Sequence, residues 1–289
     1  MSGWRIGFPL MFIEINKAFR GQWFAAAFAL SVILATGSAI GAVSFAYEDM
    51  SLFLRYRADE YANFSGFSCF KWWLGVDRSQ ALSGVFYFLL PLLASLPYSW
   101  SVSVERRSGY SNTVFSRTER GKYYVAKCVA TFASGGAVAA VPLLLNFVIC
   151  ACMLPALTPD IVDVVYTGVF EEAMLSELFY TIPLLYVALL ASATFLFSGL
   201  WAVAVSALSL FVRNRIVYTV APFLSLVLLE YLNITILAGA VGTSLTPFEF
   251  LRGSGGAFAA DGRVLLVACA FLFAFSAASF LVAFRRDAL

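Results

Sequence analysis

Six long apolar stretches, separated by polar segments, constrain the fold of this chain more than any other feature. A helix needs about 20 apolar residues to cross the hydrocarbon core of a bilayer, and each stretch has that length. The chain is 61% hydrophobic and 12% charged, whereas soluble domains carry about 25% charged residues. We therefore predict an all-α polytopic membrane protein, one transmembrane domain over residues 1–289, with spans at about 22–46, 81–103, 124–152, 179–211, 216–238 and 264–284.

The segment before the first span, 4–20, predicts a helix that lies along the membrane surface. Its charged residues Glu14, Lys17 and Arg20 fall on one side of the helix, and Trp23 follows at the level of the lipid headgroups. The alternative is that this segment merely extends the first span. The other side carries apolar residues at three- and four-residue spacing, namely Phe8, Met11, Phe12, Ile15 and Phe19.

A basic polar run at 105–127, around the predicted inner loop 104–123, orients the chain. It contains six bases and two acids, and loops rich in Lys and Arg stay in the cytoplasm. Both termini are then cytoplasmic, and most of the remaining acids lie outside. The predicted extracellular segments are 47–80, 153–178 and the glycine-rich 239–263, whose composition allows part of it to dip back into the membrane.

The residue types argue against catalysis in this chain, so we predict that it is not an enzyme. It has no histidine, which removes His-ligated metals and His-based nucleophile pairs. Gly121 and Lys122 lack the upstream glycine and the following hydroxyl of a phosphate-binding loop. We predict no metal, no cofactor and no nucleic acid for this chain. A disulfide from Cys69 to Cys150 or Cys152 stays open.

Glu230 is the one acid inside a predicted span. Ionisable groups in membranes are costly and by default functional. Counted from Ile216, Glu230 lies about 21 Å along the helix, in the outer leaflet. Two interpretations stay open. Glu230 lines a polar translocation site with Asn233, or the fifth span ends early and Glu230 meets water or a re-entrant segment.

Small residues are dense at 134–137 and 198–209. Small side chains allow two helices to approach closely within a membrane. We therefore predict that these stretches form a packing surface between helices.

Taken together, four features resemble the membrane subunit of ABC transporters of the type-2 exporter family. They are the amphipathic helix before six spans, the small-residue end of the fourth span with its short basic turn, the glycine-containing segment before the last span, and the inner loop. At 117–119 the chain has Arg-Thr-Glu in place of the proline that often precedes the loop's arginine. The loop is similar to the family's E…G…R…Y…(G/A)K series at Glu105, Gly109, Arg120, Tyr124 and Lys127.

The resemblance implies that a separate ABC ATPase subunit, which binds ATP and Mg, docks on this loop. In that family the short helix opening the loop inserts into a groove of the ATPase. Here this helix is about 108–116, with Tyr110, Val114 and Phe115 as contact residues, and with Arg117 and Arg120 near the motor surface. Glu105 and Lys127 either pair across the gate, or they cap a helix and contact headgroups respectively.

The resemblance also implies a second permease subunit, identical or different, and a location in the plasma membrane of a bacterium, in contact with lipid. We predict an ATP-driven exporter subunit for a hydrophobic or amphipathic cargo (lipid-like, drug or peptide). The alternative is a non-transporting membrane anchor or sensor that recruits a cytoplasmic partner through the same loop. A secondary transporter is disfavoured, because midplane charges and paired broken helices are missing.

Overall fold

The computed structural model describes residues 4–56, 67–116, 118–161, 164–171, 173–212, 214–237, 242–254 and 261–286, and over these ranges the fold is helical without a strand. A π-helical turn, Asn233–Leu237, extends one helix. The helices are α1 (Trp4–Arg20), α2 (Gln22–Tyr56), α3 (Cys69–Trp72), α4 (Ala81–Ser95), α5 (Ser101–Arg107), α6 (Tyr110–Phe115), α7 (Arg120–Met153), α8 (Val164–Thr167), α9 (Ser176–Thr181), α10 (Pro183–Leu208), α11 (Arg215–Leu232), α12 (Pro247–Phe250) and α13 (Gly262–Arg286).

Five of the described helices are long and apolar enough to cross a membrane: α2, α7, α10, α11 and α13. Their most apolar windows have mean hydropathies from 1.6 to 2.5. The helical fold and the multi-pass character predicted from the sequence are confirmed at this level. The stretch predicted as the second span, 81–103, is divided between the shorter apolar helix α4 and the start of α5.

Several helix ends differ from the predicted span ends. α2 continues to Tyr56 and α7 begins at Arg120, because a helix can project beyond its apolar stretch. The predicted fourth span is divided where α9 ends and α10 begins. Pro183 occupies the first turn of α10, where its fixed backbone angle suits a helix start. Pro142, by contrast, lies inside α7, which continues past it.

α7 is the central helix of the fold, packed against α10, α2 and α1. The small residues allow a close approach to α10. A Cβ atom added to Gly135 would lie 2.5 Å from the Cβ of Ala202 and 2.9 Å from the carbonyl oxygen of Ala94. On α10, a Cβ added to Gly199 would lie 2.8 Å from the carbonyl oxygen of Phe132. The predicted packing surface is therefore the α7–α10 contact.

A buried asparagine joins three parts of the bundle. The side chain of Asn146 on α7 is fully buried. Its Nδ2 donates to the carbonyl oxygen of Ala35 on α2 at 2.8 Å. Its Oδ1 accepts from the backbone N–H of Leu74 at 2.7 Å. This residue thus holds the loop after α3 against α2 and α7.

The segment between α11 and α13 returns into the bundle, as its composition allowed. Phe250 and Leu251 are buried. The N–H of Gly253 donates to the carbonyl oxygen of Gly75 at 2.7 Å. α11 itself packs little, since 6% of its apolar window is buried. All five cysteines are free, so the structure holds no Cys69 disulfide.

Substituting Gly135→Ala should lower the free energy of unfolding by about 1–3 kcal/mol, because the added methyl group meets backbone and Cβ atoms that must move. Thermal unfolding of the purified protein in detergent measures the effect. Gly121→Ala is the matched control on the same helix, since a Cβ there meets no atom within 4 Å. Equal melting temperatures for the two variants would contradict the close approach of α7 and α10.

Candidate functional site

The predicted loop residues converge on a buried group of charges near the start of α7. The Nζ atom of Lys127 lies 2.6 Å from Glu14 Oε2 and 2.6 Å from Glu105 Oε1. Lys127 is 0% exposed and Glu14 is 1% exposed. Of the two alternatives for Glu105 and Lys127, the structure thus has the ion pair. We define the Lys127 cluster as Glu14, Lys17, Tyr98, Glu105, Tyr123 and Lys127.

Both carboxylates of the cluster are fully hydrogen-bonded. Glu14 Oε2 accepts from the hydroxyl of Tyr98 at 2.5 Å, and Glu14 Oε1 accepts from Lys17 Nζ at 3.1 Å. Glu105 Oε2 accepts from the hydroxyl of Tyr123 at 2.7 Å. Lys127 Nζ also donates to the Tyr98 hydroxyl at 3.0 Å. A buried charge is tolerated when partners of this kind replace its lost water.

The Lys127 cluster joins segments that are far apart in the sequence. Glu14 and Lys17 come from α1, and Glu105 comes from α5 at the entry of the predicted loop. Tyr98 lies in the turn after α4, while Tyr123 and Lys127 lie on α7. Two acids balance two bases, so the cluster is neutral as a whole. It therefore ties α1, the loop entry and the central helix to one another.

Burial and neighbouring charges act in opposite directions on the α1 residues. Burial alone would raise the pKa of Glu14, but attraction to Lys127 and hydrogen bonds from Lys127 and Tyr98 outweigh it, so the pKa is lowered. Burial alone would lower the pKa of Lys17, but the Glu14 carboxylate outweighs it and the pKa is raised. Both side chains are therefore charged at neutral pH.

The position of Glu14 corrects the expected polar side of α1. The sequence placed this residue with Lys17 on the polar side of the helix, but its side chain is 1% exposed and contacts Tyr98 and Lys127. The reason is the charge of Lys127, which would otherwise be buried without sufficient compensation.

The predicted contact residues of the loop differ in exposure. Gly109, between α5 and α6, adopts a left-handed backbone conformation with φ of 74°. Residues with a side chain rarely adopt this conformation, whereas glycine does so readily. Phe115 packs edge-on against Tyr123, with ring centroids 5.3 Å apart. Val114 and Phe115 both pack against the buried apolar group of Val102, Tyr123 and Tyr124. Tyr110 is 45% exposed. Of the three predicted contact residues, Tyr110 is the most exposed, and its ring centre also lies 5.0 Å from the ammonium nitrogen of Lys17 on α1.

The remaining predicted loop residues support this arrangement. The guanidinium of Arg120 lies 5.6 Å from the ring centre of Phe115. Tyr124 packs against Phe115 and against Phe280 of α13. Arg117 lies outside the described residues. Beside the cluster, between α1 and α5, is a cavity of about 500 Å³ that Lys17, Trp100, Glu105 and Tyr110 help to line.

Glu230 and Asn233 both contact the returning segment. The Glu230 carboxylate accepts a hydrogen bond from the Thr246 hydroxyl. Asn233 is 1% exposed, and its Nδ2 donates to Ser244 Oγ at 3.4 Å. Of the two interpretations open from the sequence, these contacts favour the re-entrant one, in which both residues anchor the segment 242–254.

A second polar network, which the sequence did not indicate, lies beside this segment. Arg78 Nη2 lies 2.8 Å from Glu249 Oε2, and Arg78 Nε donates to Ser254 Oγ at 3.0 Å across 176 residues of sequence. The guanidinium of Arg252 lies 4.8 Å from the ring centre of Tyr87. Burial raises the pKa of Asp77. No local pattern marks these residues, because the partners in each contact come from segments that are far apart in the sequence.

Among the described residues, no three of Cys, Asp and Glu lie close enough together to hold a metal ion. One buried ionic cluster connects the base of an exposed short helix to the central helix.

Replacing Lys127 by Met should destabilise the protein by about 3–5 kcal/mol, because two carboxylates lose their buried counter-ion. Thermal unfolding measures the loss. Lys122→Met is the matched control on the same helix. Its bond to Glu119 is 3.1 Å long, but the Glu119 side chain is 74% exposed, so the change should stay within about 1 kcal/mol. If the Lys127→Met variant were as stable as this control, the Lys127 cluster would not contribute substantially to the stability of the fold.

The stability that Glu14 contributes should depend on pH in the acid range. Because its pKa is lower in the folded protein than its ordinary 4.5, this contribution is complete above that value and is lost as the pH falls through the folded pKa. Melting temperatures of wild type and Glu14→Gln should therefore differ by a constant amount above pH 4.5 and converge as the pH falls below that value. A difference that begins to shrink well above pH 4.5 would contradict the lowered pKa of Glu14.

No protein-family model matches the chain, and the search of curated proteins returned no match.

Proposed function

We propose that this chain is the membrane-spanning subunit of an ABC-type exporter, and that its loop 104–123 docks a separate ATPase subunit. The observation that carries the proposal is the Lys127 cluster. It joins Glu105, where the loop begins, to Glu14 on α1 and to Lys127 on α7. Glu105 and Lys127 are positions at which the loop resembles the exporter family.

A docking loop can transmit a movement of its partner to the membrane helices only if the loop itself does not deform. α6 is short and stands between α5 and α7. Its inner side packs through Phe115 onto Tyr123 and Tyr124, and its base is held by the ion pair of Glu105. Movement of α6 would therefore displace α7 and α1 together.

The exposed residues of α6 offer the contact surface, and they include Tyr110, Asn112 and Thr113. Tyrosine is among the residues that contribute most to binding at protein–protein interfaces. Tyr110 is the residue that we assign to the groove of the ATPase.

The remaining parts of the proposal follow from the same assignment. The broken helix α4–α5 is the second of six spans, α1 lies at the membrane surface, and both termini are cytoplasmic. ATP and Mg bind to the partner, and this chain hydrolyses nothing. A second permease subunit, identical or different, completes the path for a hydrophobic or amphipathic cargo. The location is the plasma membrane of a bacterium.

Tyr110→Asp should release the ATPase, because a charge would have to enter the groove. The chain is purified from its native membranes in mild detergent, the co-purifying subunit is identified by mass spectrometry, and ATP hydrolysis is measured. Tyr110→Phe, which keeps the ring, and Glu119→Gln, at an exposed loop site, should retain the subunit. Purification of the chain without an ATPase, or retention by Tyr110→Asp, would refute the proposal.

The same experiment separates the exporter from a non-transporting anchor or sensor, which would use the same loop. ATP turnover by the purified complex in lipid should rise several-fold with a transported amphipathic cargo. Turnover that no cargo changes, in a complex that Tyr110→Asp still disrupts, would favour the anchor or sensor.

A further inference from the structure

A cavity of about 360 Å³ lies at the far end of α7 from the Lys127 cluster. Beside it, Cys150 Sγ of α7 donates to the carbonyl oxygen of Trp72 at 3.6 Å. The helical rise from Lys127 to Cys150 is about 35 Å. Four separate segments supply the wall. They are α2 with Phe45 and Asp49, residues 71–79 with Trp72, Asp77 and Arg78, residues 167–168, and Ser254.

The wall is held in place by hydrogen bonds between these segments. Ser254 Oγ donates to the carbonyl oxygen of Val76 at 2.5 Å. Arg78 Nη2 donates to the carbonyl oxygen of Ser254 at 2.6 Å. The Thr167 hydroxyl lies 3.0 Å from that of Tyr180. The cavity is therefore preformed, and its volume is within the range of small-molecule sites.

Asp77, one of the residues of this wall, is a buried carboxylate with one unsatisfied oxygen. It is 8% exposed. Its Oδ1 accepts from the N–H of Ser79 at 2.9 Å, but its Oδ2 has no hydrogen-bond partner among the described residues. A buried acceptor without a donor is costly. Asp49, on the end of α2, adds a second carboxylate to the same wall.

Burial raises the pKa of Asp77 because the ionised form loses its water. A cation in the cavity would offset that cost. A ligand with an ammonium group supplies both the positive charge and the hydrogen-bond donors that these carboxylates need.

Cationic and aromatic groups occupy other parts of the wall. Arg78 uses Nε and Nη2 toward Ser254 and Glu249, while its Nη1 makes no hydrogen bond with the described residues. The ammonium of Lys71 lies 4.6 Å from the ring centre of Trp72. The rings of Phe45 and Trp72 are 5.5 Å apart and form an apolar side.

We propose that this cavity binds a small zwitterion, a molecule that carries an ammonium group and a phosphate or carboxylate. Asp77 and Asp49 receive the ammonium group, Arg78 receives the anion, and the methylene groups between them lie against Phe45 and Trp72. The ligand is a free solute or the headgroup of a lipid such as phosphatidylethanolamine. This inference does not depend on the ATPase, because the site lies in this chain alone.

Calorimetric titration of the purified chain tests the site. The protein is held in nanodiscs of phosphatidylglycerol, which carries no ammonium group, and the probes are phosphoethanolamine and β-alanine. At least one zwitterion should bind tenfold or more tightly than ethanolamine or inorganic phosphate does. Asp77→Asn should weaken that binding at least tenfold. Glu177→Gln, which removes an exposed acid of α9 outside the cavity wall, should leave it unchanged.

Asp49→Asn keeps the test decisive if Asp77→Asn proves unstable in thermal unfolding, since it also removes one carboxylate from the wall. Nanodiscs that contain phosphatidylethanolamine distinguish the two sources. Loss of probe binding there identifies the lipid headgroup as the occupant, and unchanged binding identifies a free solute. The inference is overturned if neither zwitterion binds more tightly than the two half-molecules, or if Asp49→Asn and Asp77→Asn both bind like wild type.

Discussion

The fully buried ammonium group of Lys127 is the interaction on which the arrangement of this protein depends. A charge without water needs partners of opposite sign at hydrogen-bond distance. Glu14 on α1 and Glu105 on α5 provide them, one before α2 and the other after α4. Docking of α1 and of α5 against α7 is therefore one event. The position of the loop helix α6 follows, because α6 begins directly after α5.

The two ends of α7 differ in how completely their polar groups are satisfied. In the Lys127 cluster both carboxylates have donors for both oxygens, which favours a single rigid arrangement. At the far end Asp77 retains an oxygen without a partner, next to a preformed cavity. A satisfied network suits transmission of force, and an unsatisfied one suits binding of a ligand. The proposed functions of the two ends follow this difference.

Between these ends, α7 has few ways to move independently of its neighbours. Gly135 and Gly199 allow α7 and α10 to touch at backbone distance. Asn146 links α7 to α2 and to the loop after α3. A helix held in this manner moves with its neighbours as a body, so a displacement at the loop would be shared by the bundle.

The sequence by itself determined the helical fold with its long apolar helices, the small-residue stretches as packing surfaces, and Glu105 and Lys127 as one of two alternative pairings. These features depend on the local composition of the chain and on the spacing of residues, both of which can be read from hydropathy and side-chain size. Only the tertiary structure decided that Glu14 faces inward, that Phe115 is covered while Tyr110 is exposed, and that Arg78 meets Glu249 and Ser254. The physical reason is that ion pairs between distant segments form only after the helices dock, and docking turns one face of each helix inward.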